Sequence, residues 1–174
     1  STHVVDVSAQ STGWFTWSFN LKGCKSLRIH GQEEKKIRFG LKGAEALSAA
    51  LLTSQVTTLT LQSVDLGDDG VAALANAVSS KDSLLRSLFL WDTNFGSSGA
   101  RHLGHALKSS SRLETLRLSG DHIGDDGAGA LAGALANNRV LQHLLLWDVG
   151  ISADGATALA TGLIGSTVSE LWLS

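Results

Sequence analysis

The chain has 174 residues, of which 43% are hydrophobic, and its formal net charge is −2. These values predict one domain with a substantial core, and the near-neutral charge gives no electrostatic basis for binding nucleic acid or an anionic membrane. No apolar run is long enough to span a membrane. The only cysteine, Cys24, cannot form an internal disulfide, which favours a reducing compartment such as the cytoplasm.

The amino-terminal region differs in pattern from the rest of the chain. Residues 3–7 and 13–21 are predicted to be strands, and together they would form a β-hairpin cap over residues 1–23. An irregular first repeat is predicted at 24–55, with a strand at 27–29 and a charged insertion at 33–36 that forms a solvated loop. Because the chain contains no methionine and ends within a repeat, we expect it to be part of a longer protein.

A Leu-x-Leu doublet recurs through the remaining sequence at intervals of 29, 28, 28 and 27 residues. The doublets are Leu59/Leu61, Leu88/Leu90, Leu116/Leu118, Leu144/Leu146 and Leu171/Leu173. The spacing of two places both leucines of a doublet on one side of a short strand. A fixed period of this length indicates stacked units that bury their apolar faces against one another.

Each of the first four doublets is followed by a glycine and then by sequence with apolar residues at i, i+4, which is typical of a helix. The glycines are Gly70, Gly99, Gly127 and Gly155. We predict that each glycine permits a tight turn and that the residue before it is the helix N-cap. Those predicted N-caps are Asp69, Ser98, Asp126 and Asp154.

This alternation predicts strand–helix repeats at 56–84, 85–112, 113–140 and 141–167, with residues 168–174 beginning a further repeat. Parallel strands joined through helices form right-handed crossovers. Strands pack at about 4.8 Å whereas helices need about 10 Å, so the stack must curve. The sequence therefore predicts an α/β solenoid, a horseshoe segment with strands on the concave face and helices on the convex face.

The pattern Leu113-x-x-Leu116-x-Leu118-x-x-Asp121-x-Ile123-x-x-x-Gly127-x-x-x-Leu131-x-x-x-Leu135 resembles the ribonuclease-inhibitor-type leucine-rich-repeat family, over about residues 41–174. The resemblance implies a protein-binding concave face with tryptophans in alternate repeats, at Trp91 and Trp147.

The chain also departs from this family. The place three residues after each doublet usually holds Asn or Cys, and here it holds Val64, Thr93, Asp121 and Val149. We therefore expect the family's hydrogen-bonded ladder to be broken and partly replaced by packing. With a single cysteine, the chain is not the cysteine-rich inhibitor itself.

Functional side chains should lie between and after the doublet leucines, facing the concave side. We predict partner binding by Phe89, Trp91, Asp92, Arg117, Leu145, Trp147, Asp148 and Trp172. Segments 88–92 and 144–148 are near copies 56 residues apart, which places two tryptophans about 10 Å apart across Arg117. Exposed Trp and Arg are typical of protein interfaces. The alternative is that these tryptophans only shield the sheet.

The sequence has only weak signals for a metal-binding or catalytic site. His102 and His105 are spaced i, i+3 on a predicted helix, but no third ligand accompanies them, so we expect no metal site. The acidic runs at 65–69 and 121–126 lack the spacing of a calcium loop. No phosphate-binding loop or nucleophile elbow is present, so we expect no catalytic residues and no cofactor.

The sequence thus predicts a non-enzymatic protein–protein interaction or scaffold module. One alternative is a structural subunit of a large assembly. The other is an activator of a small GTPase, with Arg86 or Arg101 as the contact. We expect a protein partner, no nucleic acid and no membrane insertion.

Overall fold

The computed structural model describes residues 4–7, 19–32 and 36–174, and for residues 4–7 it describes the backbone alone. The strands of this part are β1 (Val4–Val7), β2 (Ser26–His30), β3 (Ile37–Arg38), β4 (Thr58–Gln62), β5 (Val64–Asp65), β6 (Ser87–Trp91), β7 (Thr115–Ser119), β8 (His143–Trp147) and β9 (Glu170–Leu173). Its helices are α1 (Gly40–Leu52), α2 (Gly67–Ser79), α3 (Ser97–Ser109), α4 (Gly124–Leu135) and α5 (Ala153–Leu163). None of these described helices is both long enough and apolar enough to cross a bilayer.

Seven strands form one parallel sheet in the order β1-β2-β4-β6-β7-β8-β9, and β3 pairs with β5 separately. The near-constant spacing of the doublets fixes the register, because each strand and crossover use almost the same number of residues. Leu88 of β6 therefore lies beside Leu59 of β4 and Leu116 of β7. The predicted α/β architecture with parallel strands at the doublets is confirmed.

The core lies between this sheet and the helices. Both leucines of each doublet in β4, β6, β7 and β8 are at most 1% exposed, and consecutive helices pack side by side over them. Burying one such side chain stabilises the fold by about 1.5–3 kcal/mol. The fifth doublet differs from this pattern, because Leu173 on the edge strand β9 is 42% exposed.

The repeated glycines have a different role from the predicted one. None of the four has a positive φ, so they do not form the tight turns. Each lies in the first turn of its helix. A Cβ added at any of them would come within 2.8 Å of the apolar side chain four residues earlier, which for Gly70 is Leu66. The left-handed turns at helix starts are instead made by Gly40, Gly67 and Gly124, with φ of 55°, 68° and 60°.

The predicted N-caps were wrong for a related reason. The helices begin before the expected residues, so Asp69 and its three counterparts lie inside the first turns. The start of α3 is capped by the preceding repeat, because Asp68 Oδ1 of α2 accepts hydrogen bonds from the backbone N–H groups of Gly96 and Gly99, both at 2.8 Å. A side chain at position 99 would put its Cβ 2.9 Å from that oxygen.

Asp125 of α4 caps α5 in the same way. Its Oδ1 accepts from the N–H groups of Ser152 at 2.8 Å and Gly155 at 3.0 Å, and its Oδ2 accepts from the Ser152 hydroxyl at 2.7 Å. Hydrogen bonds from the hydroxyl and N–H of Ser152 hold the pKa of Asp125 below its ordinary value of 3.8. The carboxylates of one helix thus satisfy N–H groups at the start of the next.

At the place three residues after each doublet, the hydrogen-bonded ladder is broken as expected, and one polar contact remains. Val64 and Val149 are buried apolar side chains. Asp121, only 1% exposed, accepts from the N–H of Thr93 at 2.9 Å, its hydroxyl at 3.0 Å and the N–H of Phe95 at 3.3 Å. Burial raises the pKa of the Asp121 carboxyl, and these hydrogen bonds oppose the rise without cancelling it.

At the amino end, β1 adds to the sheet in parallel, with Val5 beside Leu27 of β2. The predicted strand at 3–7 is confirmed for Val4–Val7, and residue 3 lies outside the described residues. The hairpin depends on 8–18, which also lie outside them, while residues 19–21 are described and are not in a strand. The strand predicted at 27–29 forms the middle of β2 and pairs in register with β4.

We expect Leu116→Ala to lower the free energy of unfolding by about 2–5 kcal/mol, because it leaves a cavity in the centre of the leucine stack. Urea denaturation followed by circular dichroism measures the change. Leu41→Ala is the matched control, since Leu41 is 44% exposed on α1 and its truncation should change stability by less than about 0.5 kcal/mol. Equal losses in the two variants would contradict the central position of Leu116.

The raised pKa of Asp121 predicts that this carboxyl favours the fold when protonated. Its stabilisation is fully present below the ordinary value of 3.8 and is lost as the pH rises through the raised pKa. Asn can accept the two N–H bonds at its Oδ1 without a charge, and its Nδ2 would donate to the Thr93 hydroxyl oxygen instead of accepting from it. The unfolding free energy of wild type relative to Asp121→Asn should therefore be higher at about pH 4 than at about pH 7. A difference that is independent of pH would refute this explanation.

Asp125 should have the opposite pH dependence, because its pKa is lowered. Its charged form favours the fold above 3.8, and this stabilisation is lost as the pH falls through the lowered pKa. In the same denaturation experiments, the advantage of wild type over Asp125→Asn should shrink on acidification. If it grew instead, the capping of α5 by this carboxylate would be wrong.

Candidate functional site

The side chains between the doublet leucines lie on the sheet face opposite the helices, which we call the open face. Register aligns one row of them across the strands: Arg28, Thr60, Phe89, Arg117, Leu145 and Trp172. The next row toward the strand ends is Gln62, Trp91, Ser119 and Trp147. The alternation along each strand therefore leaves every second residue available to contact another molecule.

Among the described residues, three tryptophans are exposed on the open face. Trp91, Trp147 and Trp172 are 47%, 37% and 51% exposed. Phe89 and Leu145 are half-buried between their neighbours in the row. Ser119, which the alternation expected to be exposed, is only 6% exposed, because it lies in register between the larger Trp91 and Trp147. The two indole rings therefore cover Ser119, and this part of the open face is apolar.

Arg117 lies in the centre of this surface and is half-buried. Its guanidinium carbon stands 4.8 Å from the centroid of the Trp147 ring, a cation–π contact that favours a charged group stacked on the indole. Its Nε is buried and has no hydrogen-bond partner among the described residues. The sequence predicted that Arg117 lies near both tryptophans, and the structure shows that it stacks on Trp147.

Asp92 and Asp148 follow β6 and β8, and both have left-handed backbone conformations, with φ of 55° and 49°. Aspartate is one of the few non-glycine residues that adopt this conformation readily, and Gly120 takes it after β7, with a φ of 70°. Asp148 is exposed and Asp92 is half-buried. A backbone requirement at the ends of the strands therefore accounts for both aspartates without a ligand.

Sequence reasoning missed Lys36. Its Nζ forms an ion pair with Asp92 Oδ1 at 2.6 Å, so this end of the charged insertion contacts the end of β6 instead of remaining solvated. Residues 33–35 of the insertion lie outside the described residues. The contact joins side chains 56 positions apart in sequence, and no local pattern predicts such a pair.

A depression of about 410 Å³ lies on the open face across β2, β4, β6 and β7. Its walls include Phe89, Trp91 and Arg117 from the predicted set, together with Arg28 and Gln62, which the prediction did not include. Leu145, Trp147 and Trp172 do not line it. The predicted site residues therefore share one face but fall into two groups, one within the depression and one beside it.

The other candidate groups lie apart from the open face. His102 and His105 are exposed on α3. Within the described ranges, no three His, Cys, Asp or Glu side chains come together in a way that could hold a metal ion. Arg86 forms an ion pair with Glu114, and Arg101 is exposed on α3.

Comparisons with known proteins bear on the fold. No protein-family model matches the chain, and none of the curated proteins matches its sequence. Among similar solved structures is leiomodin-1 actin-binding site 2, with a TM-score of 0.56, 19% identity, and a match that covers 60% of this chain and 62% of that one. The match therefore spans less than two thirds of either chain. At this identity the likeness shows the fold alone, a leucine-rich-repeat-like α/β architecture.

Proposed function

We propose that the chain is a right-handed leucine-rich-repeat solenoid of the ribonuclease-inhibitor type, with the repeats at 56–84, 85–112, 113–140 and 141–167. The difference in spacing between strands and helices supports curvature of the stack, because neighbouring strands lie about 4.8 Å apart and neighbouring helices about 10 Å. In this geometry the open face is the concave surface and the helices are on the convex one.

We propose that the open face binds a protein partner and that the chain acts as a non-enzymatic recognition or scaffold module in the cytoplasm. The main support is the exposure of three tryptophans on one face, at 37–51%. Large apolar side chains exposed together are typical of interaction sites, and Trp and Arg contribute more than other residues to interface energies. The similar solved chain is named for an actin-binding site, which is consistent with a protein-binding role on this fold.

A structural role in a larger assembly is the second candidate. Leu173 on β9 and Ile164 after α5 are 42% and 79% exposed, so the β9 side of the domain also presents apolar surface. This candidate predicts that partner contacts involve Ile164 and Leu173 and do not require the open-face tryptophans.

The variant Trp91→Ala with Trp147→Ala tests the proposed recognition surface. We expect its thermal melt by circular dichroism to stay close to that of wild type, because both rings lie outside the core. Its affinity for a partner captured from the source cell should fall by about 2–4 kcal/mol, measured by titration calorimetry with the isolated partner.

The matched control is Leu41→Ala with Ile164→Ala, which removes apolar groups that are 44% and 79% exposed away from the open face. It should bind the partner as wild type does. Loss of binding in this control but not in the tryptophan variant would favour the assembly role. A collapsed melt in the tryptophan variant would mean that the rings are structural.

A further inference from the structure

The charge of the depression differs from that of the whole chain. Among the described residues, its lining contains two arginines, Arg28 and Arg117, and no carboxylate, and the other lining residues are Ser, Thr, Gln, Leu, Phe and Trp. The chain as a whole has a net charge of −2. A ligand that fills this depression would therefore meet positive charge at two of its walls and aromatic surface between them.

Arg117 is the stronger of the two anion ligands. Among the described residues it forms no ion pair, and the interaction that its charge makes is the cation–π contact with Trp147. Of the two aspartates that follow the neighbouring strands β6 and β8, Asp92 is paired with Lys36 at 2.6 Å, and neither forms an ion pair with Arg117. Arg28 is the weaker of the two, because its register partner in β1 is the acidic residue Asp6.

The stacked geometry makes Arg117 suited to a planar anion. The guanidinium carbon of Arg117 lies over the Trp147 ring, and because Nε is buried, the two Nη groups form the edge that can match a carboxylate with two parallel hydrogen bonds. Stacking also restricts the side chain before binding, which lowers the entropy lost on association. Arg28 lies three strands from Arg117 in the row, about 14 Å away, so one guanidinium meets each anionic group and balances the single charge of a carboxylate, whereas phosphorylated ligands are usually bound by clusters of arginines.

The remaining walls favour a peptide as the source of that carboxylate. Phe89 and Trp91 form an apolar surface beside Arg117, and Thr60 and Gln62 of β4 offer neutral hydrogen-bonding groups. A volume of about 410 Å³ lies within the usual range for ligand sites, about 300–1,000 Å³. It can hold two or three side chains of an extended segment.

We propose that the depression binds an acidic segment of the partner protein, in which an Asp or Glu carboxylate pairs with the guanidinium of Arg117 and a neighbouring apolar side chain packs on Phe89 and Trp91. This proposal rests on the proposed recognition function and adds the chemistry of the partner. It also explains why Arg117 lies between aromatic residues without a carboxylate of its own among the described residues.

Selection of terminally blocked random peptides on the immobilised wild-type chain is the first experiment. We expect enrichment of Asp or Glu next to an aromatic residue, and loss of the acidic preference when the selection is repeated on Arg117→Gln. Enrichment without acidic residues, or of acidic residues that are retained on Arg117→Gln, overturns the proposal.

Binding constants of one selected peptide then test the contact directly. Replacing its acidic residue by the matching amide should weaken binding to wild type by about tenfold or more, and to Arg117→Gln by less than about twofold. Arg101→Gln on α3 is the control and should behave as wild type. The amide peptide tests wild type without any variant, so the result stands even if Arg117→Gln folds poorly. A preference for the phosphoserine version of the peptide over the carboxylate version also overturns the proposal.

The two proposals fail in different ways. If peptides show no acidic preference while the tryptophan double variant still loses its partner, the open face binds a protein but the acidic chemistry is wrong. If the double variant keeps its partner with full affinity, recognition by the open face is itself wrong.

Discussion

The leucine doublets of β4, β6, β7 and β8 lie side by side at one strand spacing, and the rest of the structure depends on this stack of buried side chains. Because both leucines of each doublet point to the helices, the residue between them must point away. The same constraint that fills the core therefore places Phe89, Arg117 and Leu145 in one row on the opposite face. Core packing and the candidate site are two consequences of one periodicity.

Neighbouring repeats are not equivalent, and the molecule repeats in pairs. The capping carboxylates Asp68 and Asp125 are 57 residues apart, and the tryptophans Trp91 and Trp147 are 56 apart. In each pair, one helix supplies the carboxylate and the next helix receives it at its N-terminus. A carboxylate at a helix N-terminus satisfies free N–H groups and the positive end of the helix dipole. The helix ends and the pair Trp91 and Trp147 thus follow the same two-repeat pattern, whereas Trp172 lies on the strand next to that of Trp147.

The open face combines two kinds of residue. Asp92 and Asp148 have positions that the backbone turn already explains. Trp91 and Trp147 cover Ser119 yet remain 47% and 37% exposed, and Arg117 has no ion-pair partner among the described residues. The depression extends from β7 toward β2 and does not reach β8. Arg117 lines it and also contacts Trp147 on β8, so this residue connects the depression with the part of the open face beside it. Of the predicted set, Arg117 is therefore the residue that most specifically indicates the chemistry of the partner, a negatively charged group.

The periodicity of the sequence predicts the strands at the doublets, the helices that follow them and the buried side of each of these strands, because spacings of two and of three to four residues are local properties of the backbone. It also predicts that Trp91, Trp147 and Trp172 lie on an exposed face. The helix starts, the crowding at Gly99 and Gly155, the Lys36–Asp92 ion pair, the short strands β3 and β5 and the outline of the depression emerge only from the folded chain. Each of these depends at least in part on atoms from a different repeat, about 28 residues or more away, and a side chain's own neighbours in sequence carry no record of such contacts.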